Sequence, residues 1–336
     1  MKKHNFYAGP SILTPYTIQK TADAVINFAD TGLSLLEVSH RSKEFQAVID
    51  EAAALTKELL NVPEGYHVLF LGGGASLQFC MIPFNLLKKK AAYINTGTWA
   101  TNAIKEAKLF GEVEVVASSE DTKFNYIPKD FVIPADADYF HYTSNNTIYG
   151  TETRKDYDSP IPMICDMSSD IFSREFDVSK YDAIYAGAQK NLAPAGLTIV
   201  IIREDLIRED LPEFVPTYLR YKTHADADSL YNTPNCWSIY CCGKVFQYLL
   251  ANGGLEAMAQ RNEEKAAVLY DFLDRSQFFT AAVRKEDRSL MNVPFFSPSK
   301  EQDAEVAASA KAAGFDNLKG HKSVGGLRAS VYNAMP

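Results

Sequence analysis

Short apolar runs alternate with segments of helical periodicity along most of the chain. The runs are rich in β-branched and aromatic residues and are bounded by glycine or polar residues, which is the pattern of buried strands. They predict strands at 67–71, 91–95, 113–117, 138–143, 162–167, 182–187 and 196–203. Apolar positions spaced to form one face of a helix predict helices at 14–29, 43–61, 76–88, 98–110, 236–251, 255–275 and 299–313.

This alternation of strands and helices predicts an α/β protein. We expect a large domain, residues 14–254, with a mostly parallel seven-stranded sheet covered by helices on both faces. A smaller α+β domain is expected to follow at 255–336 and to include the N-terminal segment 1–13. Ligands of such sheets bind beyond the carboxyl ends of the strands. The residues that follow each strand are therefore the candidates for chemistry.

Composition narrows the classes of function. The net charge of -8 argues against a nucleic-acid-binding protein, which usually has a basic face. The sequence contains no apolar run long enough to span a membrane, and no signal peptide is expected at its start. Five cysteines without a C-x-x-C pair indicate reduced, buried thiols in a cytoplasmic protein. Six scattered histidines give no reason to expect a metal site.

A glycine-rich segment, Gly-Gly-Gly-Ala75-Ser76, follows the first predicted strand of the sheet. Glycines let the backbone approach a ligand closely, and the helix that follows begins with free N–H groups. Ser76 can either cap that helix or donate to a phosphate. The spacing matches neither the nucleotide P-loop nor G-x-G-x-x-G. A phosphate site and a simple turn both remain open.

Two uncharged residues follow other strands of the predicted sheet. Trp99 comes at the junction of a loop and a helix, where it is either a core or interface residue or a platform for a planar ring. Thr147 supplies a hydroxyl in the loop after 138–143, either to the turn itself or to a ligand.

Two charged residues are the most informative. Asp166 ends an apolar strand, and a carboxylate there needs a cation or a hydrogen-bond donor, supplied by a structural cap or by a ligand. Lys190 follows the next strand, and its neighbours on both sides are uncharged. Most isolated lysines are surface residues. At the carboxyl edge of a sheet, however, desolvation lowers the pKa of a lysine, so that more of its amine is unprotonated.

Taken together, these loops favour one ligand with four features. It has a phosphate for the glycine-rich loop, a flat ring for Trp99, a basic ring nitrogen for Asp166 and an aldehyde for Lys190. Pyridoxal 5′-phosphate has all four. A nucleotide-binding protein that uses the glycine-rich loop without lysine chemistry is the alternative from another class.

Several longer segments are similar to the phosphoserine aminotransferase family, in the class V branch of fold-type I pyridoxal-phosphate enzymes. The resemblance covers the whole chain and is carried by NFYAGPSIL, EVSHRSKEF, GGGASLQF, NTGTWA, CDMSSD, IYAGAQKN, AGLTIVIIRED, YNTP, MNVPF and GHKSVGGLRASVYNAMP. It implies ping-pong transamination between L-glutamate and 3-phosphohydroxypyruvate in serine biosynthesis. Some members also act on a phosphorylated hydroxythreonine in pyridoxal phosphate biosynthesis. Another class V aminotransferase, such as an alanine–glyoxylate or serine–pyruvate enzyme, is the alternative.

The resemblance also implies a role for each matching residue. Lys190 would hold the cofactor covalently, Asp166 would keep its ring nitrogen protonated, and Trp99 would stack on the ring. Thr147 would bond the phenolic oxygen. The phosphate would be held by Ala75, Ser76 and Gln189.

The same resemblance implies a homodimer with shared active sites. Asn232 and Thr233 would reach the phosphate from the neighbouring subunit, and Arg328 would bind the substrate α-carboxylate. The distal anion of the substrate would meet His321 together with His40 and Arg41 of the neighbour. From the residues alone, His40 and Arg41 are equally well explained as part of the cap of the helix that begins near Ser42.

The chain departs from the family pattern in the glycine-rich loop. Some members carry an arginine where this chain has Ala75 and Ser76, so one anion contact is missing here. Members of the family also usually continue past the position of Pro336 into a C-terminal helix.

Overall fold

The computed structural model describes residues 3–336. Its helices are α1 (Pro15–Ile26), α2 (Lys43–Leu60), α3 (Gly74–Leu86), α4 (Thr98–Ala107), α5 (Tyr221–Ala225), α6 (Cys236–Ala251), α7 (Gly254–Arg275) and α8 (Lys300–Ala312). Its strands are β1 (His4–Asn5), β2 (Tyr66–Leu71), β3 (Lys90–Asn95), β4 (Glu112–Ser118), β5 (Phe140–Thr143), β6 (Asn145–Asn146), β7 (Thr151–Glu152), β8 (Met163–Asp166), β9 (Ala183–Gly187), β10 (Thr198–Arg203), β11 (Thr280–Ala281), β12 (Asn292–Phe296), β13 (Phe315–Asp316) and β14 (Leu327–Ser330).

The predicted seven-stranded sheet is confirmed. Its strand order is β2-β10-β9-β8-β5-β3-β4, and β10 alone among these strands runs antiparallel to both of its neighbours. The carboxyl ends of the other strands therefore lie along one edge of the sheet. This arrangement brings together the loops that follow β2, β3, β5, β8 and β9.

Both faces of the large sheet are buried, which explains why its strands are continuous apolar runs. Along β10, Ile199 and Ile201 pack into the core formed with α2 and α6, whereas Val200 and Ile202 pack into the core formed with α3 and α4. Successive side chains of a strand point to opposite faces, so a strand buried on both sides needs apolar residues at every position.

A second, smaller sheet is formed by β11, β12 and β14, which are antiparallel. The N-terminal segment lies with this part of the chain, because β1 pairs with β13 and Phe6 packs against the small core. Helix α7 contributes Leu255 and Met258 to the large core and Tyr270 to the small one. The division of the chain between residues 254 and 255 stays a prediction, since one helix serves both cores.

The five cysteines are free thiols. The expectation that all of them are buried is wrong for Cys80 and Cys236, which are partly exposed. None of the helices within residues 3–336 has the length and apolar character needed to cross a membrane. Over the same residues, no group of three or more His, Cys, Asp and Glu side chains is placed to hold a metal ion.

Candidate active site

A cavity of ≈ 130 Å³ lies at the carboxyl edge of the large sheet. Each loop that lines it follows one of the strands that end there, as expected for an open α/β sheet. Seven of the residues selected from the sequence meet in this cavity, together with five that were not selected. The lining residues are Gly74, Ala75, Ser76, Trp99, Thr143, Asn145, Thr147, Asp166, Ser168, Ser169, Gln189 and Lys190.

Lys190 is a buried lysine whose amine faces two hydroxyl groups. Its side chain reaches from the loop after β9, and Nζ donates hydrogen bonds to Thr147 Oγ1 at 2.7 Å and to Ser169 Oγ at 2.6 Å. Burial lowers the pKa of Lys190 to about 8, although the charges of Asp166 and Asp170 oppose this shift. A buried amine with a lowered pKa is suited to act as a nucleophile and a base.

Asp166, the last residue of β8, lines the same cavity and is 3% exposed. Its Oδ1 accepts hydrogen bonds from Ser168 N at 3.0 Å and Ser168 Oγ at 2.6 Å. Burial raises the pKa of Asp166, and the bonds from Ser168 together with the charge of Lys190 act in the opposite direction. Within residues 3–336 no hydrogen bond to Oδ2 is found, so one carboxylate oxygen is free for a ligand.

The glycine-rich loop forms the N-terminus of α3. Gly73 precedes the helix with φ +81°, a left-handed conformation, and a Cβ there would lie 2.5 Å from Leu77 Cβ. The backbone N–H groups of Gly74, Ala75 and Ser76 have no acceptor in the described part of the chain, which makes this end attractive to an anion. The alternative in which Ser76 caps the helix is wrong, because Gly73 is the capping residue and Ser76 lies in the first turn.

Trp99 is the second residue of α4 and is 36% exposed. The core position considered for this tryptophan is therefore wrong. Since the ring lines the cavity and is partly open to solvent, it provides a face against which a planar ring can stack.

Arg328, on β14 of the small sheet, reaches towards the cavity. Its Nη1 donates to the carbonyl oxygen of Thr147 at 3.1 Å, and its buried Nε has no hydrogen-bond partner in the described structure. Burial lowers the pKa of Arg328. Burial and, to a smaller extent, the charge of Arg328 lower the pKa of His321. Arg328 thus has donor capacity left for a ligand.

Six of the residues selected from the sequence do not line the cavity: Arg328 and His321, described above, and Asn232, Thr233, His40 and Arg41. Asn232 and Thr233 line a separate depression beside Gly72. His40 and Arg41 precede α2, and that helix is capped by Ser42, whose Oγ accepts from Phe45 N at 3.2 Å. Capping therefore needs neither of them. The imidazole Nε2 of His40 is buried without a hydrogen-bond partner in the part of the chain described here.

Apart from Gly74, the cavity residues that were not selected from the sequence are polar and uncharged. Ser168 and Ser169 follow Asp166 by two and three positions, Thr143 is the last residue of β5, and Asn145 is the first residue of β6. The position of the two serines after a strand, close to a carboxylate, could have marked them as candidates for the cavity. Thr143 Oγ1 is buried and has no partner within residues 3–336, although it lines the cavity.

Comparison with known proteins shows the family to which the chain belongs. The family model described as aminotransferase class-V matches residues 4–336. The chain belongs to the class V aminotransferase family.

The class V match is supported by relatives of nearly the same length. The chain is 61% identical to the phosphoserine aminotransferase of Parabacteroides distasonis over 339 residues, which cover 100% of this chain and 95% of the relative. A solved phosphoserine aminotransferase from Bacillus circulans subsp. alkalophilus is 45% identical, with a TM-score of 0.97 over 100% of this chain and 94% of the other. The phosphoserine aminotransferase of Trichomonas vaginalis, solved with PLP bound, is 37% identical, with a TM-score of 0.95 over 100% and 96% of the two chains.

Class V aminotransferases depend on pyridoxal phosphate, and the residues of the cavity fit this cofactor. Lys190 offers an amine for its aldehyde, and Asp166 has an unpaired oxygen for its ring nitrogen. The N-terminus of α3 offers unpaired N–H groups for its phosphate. The orphaned hydroxyl of Thr143 gives the cavity a further polar atom that lacks a protein partner. The donor set therefore agrees with the cofactor of the family.

Proposed function

We propose that this chain is the aminotransferase that converts 3-phosphohydroxypyruvate and L-glutamate into O-phospho-L-serine and 2-oxoglutarate in serine biosynthesis. The observation that carries this proposal is that a buried lysine amine and a buried carboxylate line the same cavity. The chain in which they do so is 61% identical to a phosphoserine aminotransferase. The alternative of an alanine–glyoxylate or serine–pyruvate enzyme lacks comparable support.

Pyridoxal phosphate supplies an aldehyde that bonds to amines and a protonated ring that accepts an electron pair. Lys190 would hold the cofactor through its amine, and the amine would be free once a substrate is bound. The free Nζ would then act as the base that takes the proton from the substrate Cα and becomes –NH₃⁺, and –NH₃⁺ would later give that proton back as an acid. Asp166 would carry the negative charge that keeps the ring nitrogen protonated. With the second substrate, Nζ would act in the opposite direction.

The substrate anions are assigned to two groups of cations. Arg328 binds the α-carboxylate, since its guanidinium is buried and has donors left unpaired. His321 meets the distal carboxylate or phosphate, helped by His40 and Arg41 of a second subunit. Glutamate and phosphohydroxypyruvate differ in this distal group, so both must fit the same cations.

The remaining cofactor contacts are also assigned. Trp99 stacks on the ring, Thr147 bonds its phenolic oxygen, and the phosphate is held by Ala75, Ser76 and Gln189. Asn232 and Thr233 complete the phosphate site from the other subunit of a homodimer. Their exclusion from the cavity of their own chain supports this assignment. We assign the enzyme to the cytoplasm, with small molecules as substrates and neither nucleic acid nor membrane as a partner.

The function is tested by a coupled assay on the purified protein with added pyridoxal phosphate. Glutamate and 3-phosphohydroxypyruvate should together yield 2-oxoglutarate, and either substrate alone should yield no more than one equivalent per active site. Absence of steady-state turnover in a protein that carries the bound cofactor would contradict the proposal.

A further inference from the structure

Ser169 occupies a position for which the proposed chemistry gives no role. It is 2% exposed and follows β8 by three positions, beyond Asp166 and Ser168. Its Oγ lies 2.6 Å from Lys190 Nζ and 2.7 Å from Thr147 Oγ1. Since Thr147 Oγ1 is itself 2.7 Å from Nζ, the three atoms form a closed triangle.

The triangle has a consequence for the direction of the lysine lone pair. A neutral amine has two N–H groups and one lone pair, and a hydroxyl oxygen can accept from an N–H. If both N–H groups are given to Thr147 and Ser169, the lone pair must point in the one remaining direction. Removing either hydroxyl leaves the amine free to rotate about its last C–N bond. An amine that abstracts a proton needs its lone pair aimed at that proton.

Ser169 is held firmly enough to direct another group. Its backbone lies in the turn that begins at Met167, where Asp170 N and Ile171 N both donate to the Met167 carbonyl. Asp170 in turn is bonded by Ser144 Oγ, which also donates to the Asp166 carbonyl at 3.1 Å. Asp170 is therefore tied through Ser144 to the last residue of β8, and Ser168 on the other side of Ser169 bonds to the carboxylate of that same residue, Asp166.

We propose that Ser169 is a positioning residue that, with Thr147, orients the free amine of Lys190 for proton transfer at the substrate Cα. This inference rests on the proposed function. The proton passes from Cα to Nζ, whose lone pair forms the new N–H bond, while the electron pair of the broken C–H bond goes to the cofactor ring. Ser169 gains and loses no proton in this step.

The first experiment replaces the hydroxyl and separates binding from chemistry. Ser169→Ala should lower kcat about ten- to a hundredfold, the size expected for losing one hydrogen bond to an amine that becomes charged as the proton is transferred. The KM for glutamate should change less than threefold. Ser169→Thr, which keeps the hydroxyl, should recover most of kcat. With glutamate deuterated at Cα, the isotope effect on kcat should be larger in Ser169→Ala than in the wild type.

A second readout does not depend on turnover. In protein freed of cofactor, the rate at which Lys190 is acylated by acetic anhydride is followed against pH by peptide mass spectrometry. Loss of the Ser169 acceptor removes a bond that favours the protonated amine, so the apparent pKa of Lys190 should fall in Ser169→Ala. This measurement remains informative even if the wild-type protein fails to turn over phosphohydroxypyruvate, which would contradict the proposed function but not the placement of the amine.

The matched control is Ser238→Ala. Ser238 is a buried serine of α6 whose Oγ has no hydrogen-bond partner within the described residues, and it does not line the cavity. It should retain wild-type kcat and Lys190 acylation. If Ser169→Ala does not fold, Ser169→Cys takes its place, because a thiol of similar size is a weak acceptor. Wild-type kcat and unchanged acylation in the folded Ser169 variant would overturn the inference. So would a fall in melting temperature with both readouts unchanged.

Discussion

Arg328 Nη1 lies 3.1 Å from the carbonyl oxygen of Thr147, and the hydroxyl of that threonine accepts a hydrogen bond from Lys190 Nζ at 2.7 Å. One residue in the turn between β6 and β7 therefore connects the proposed carboxylate-binding arginine with the proposed catalytic amine. A substrate held by Arg328 would have its Cα near Lys190, which is the geometry that proton transfer requires.

Arg328→Lys should weaken both substrates while the protein stays folded. A lysine keeps the positive charge but cannot form the two parallel bonds that a guanidinium makes with a carboxylate. The kcat/KM for glutamate and for phosphohydroxypyruvate should each fall about ten- to a hundredfold, mainly through KM. Steady-state kinetics with each substrate varied in turn checks this. Unchanged KM values for both substrates would remove the arginine from the carboxylate site.

Asp166→Asn should lower turnover by roughly a hundred- to ten-thousandfold, because a neutral amide does not hold the ring nitrogen protonated. The matched control is Asp182→Asn. Asp182 is also buried, but its Oδ2 accepts from Met163 N at 2.6 Å, at the opposite end of β8. That variant should lose stability and keep its activity per folded molecule. Near-wild-type turnover in folded Asp166→Asn would exclude the assigned role.

Lys190 should make the stability of the cofactor-free protein depend on pH. Its pKa is lowered from 10.5 to about 8 by burial, so between these values the unfolded chain binds more protons than the folded chain. The free energy of unfolding should therefore rise with pH through this window, relative to Lys190→Met, by about 3 kcal/mol in total. Below pH 8 the amine of Lys190 is charged in the folded protein, and the full cost of burying that charge lowers the free energy of unfolding. Denaturant titrations of both proteins at several pH values measure the difference, and parallel curves would show that the lysine is not desolvated.

The sequence predicted the large sheet because burial on both faces leaves a clear pattern. Every residue of β10 from Ile199 to Ile202 is apolar, and no surface strand would show this. The cavity was predicted for a related reason, since charged or aromatic residues such as Lys190 and Trp99 stand out when they follow such a strand. Ser169 could not be selected in this way, because a serine after a strand is also an ordinary turn residue.

Other parts of the site depend on relationships that a single chain does not contain. Thr233 and Arg41 lie outside the cavity, and their proposed roles need a second subunit.

The short strands β6 and β7 were missed because two-residue strands carry no periodicity. The capping role considered for Ser76 failed because the positive φ of Gly73 starts α3 earlier than the apolar pattern indicates.

Arg41→Ala should separate substrate recognition from helix capping. If the guanidinium of a neighbouring subunit binds the distal anion, the variant should lose about one to two factors of ten in kcat/KM for glutamate and for phosphohydroxypyruvate. Alanine, a poor substrate without a distal anion, should be affected little. Lys43→Ala, on the other side of the Ser42 cap, is the control for removing an exposed charge here. An equal loss for all three substrates, with a lower melting temperature, would make Arg41 a structural residue.

Subunit sharing is tested by mixing two inactive variants. Lys190→Ala lacks the amine, and Thr233→Arg blocks the phosphate site that its own chain is proposed to complete in the partner. A heterodimer of the two should contain one site with both wild-type residues. Activity should therefore reappear after subunit exchange, up to about half the wild-type value per mixed dimer. Verified exchange without recovered activity would contradict a shared site.

The proposed substrate is tested most directly by comparing two molecules that can accept the amino group. With glutamate fixed as donor, kcat/KM is measured for 3-phosphohydroxypyruvate and for glyoxylate on the same preparation. The proposed distal cations should stabilise the phosphate by at least one charge-assisted bond, so phosphohydroxypyruvate should be preferred by at least about tenfold. That preference should shrink in Arg41→Ala and disappear with all activity in Lys190→Ala. Equal use of the two amino-group acceptors, or a preference for glyoxylate, would contradict the proposal that 3-phosphohydroxypyruvate is the substrate of this enzyme.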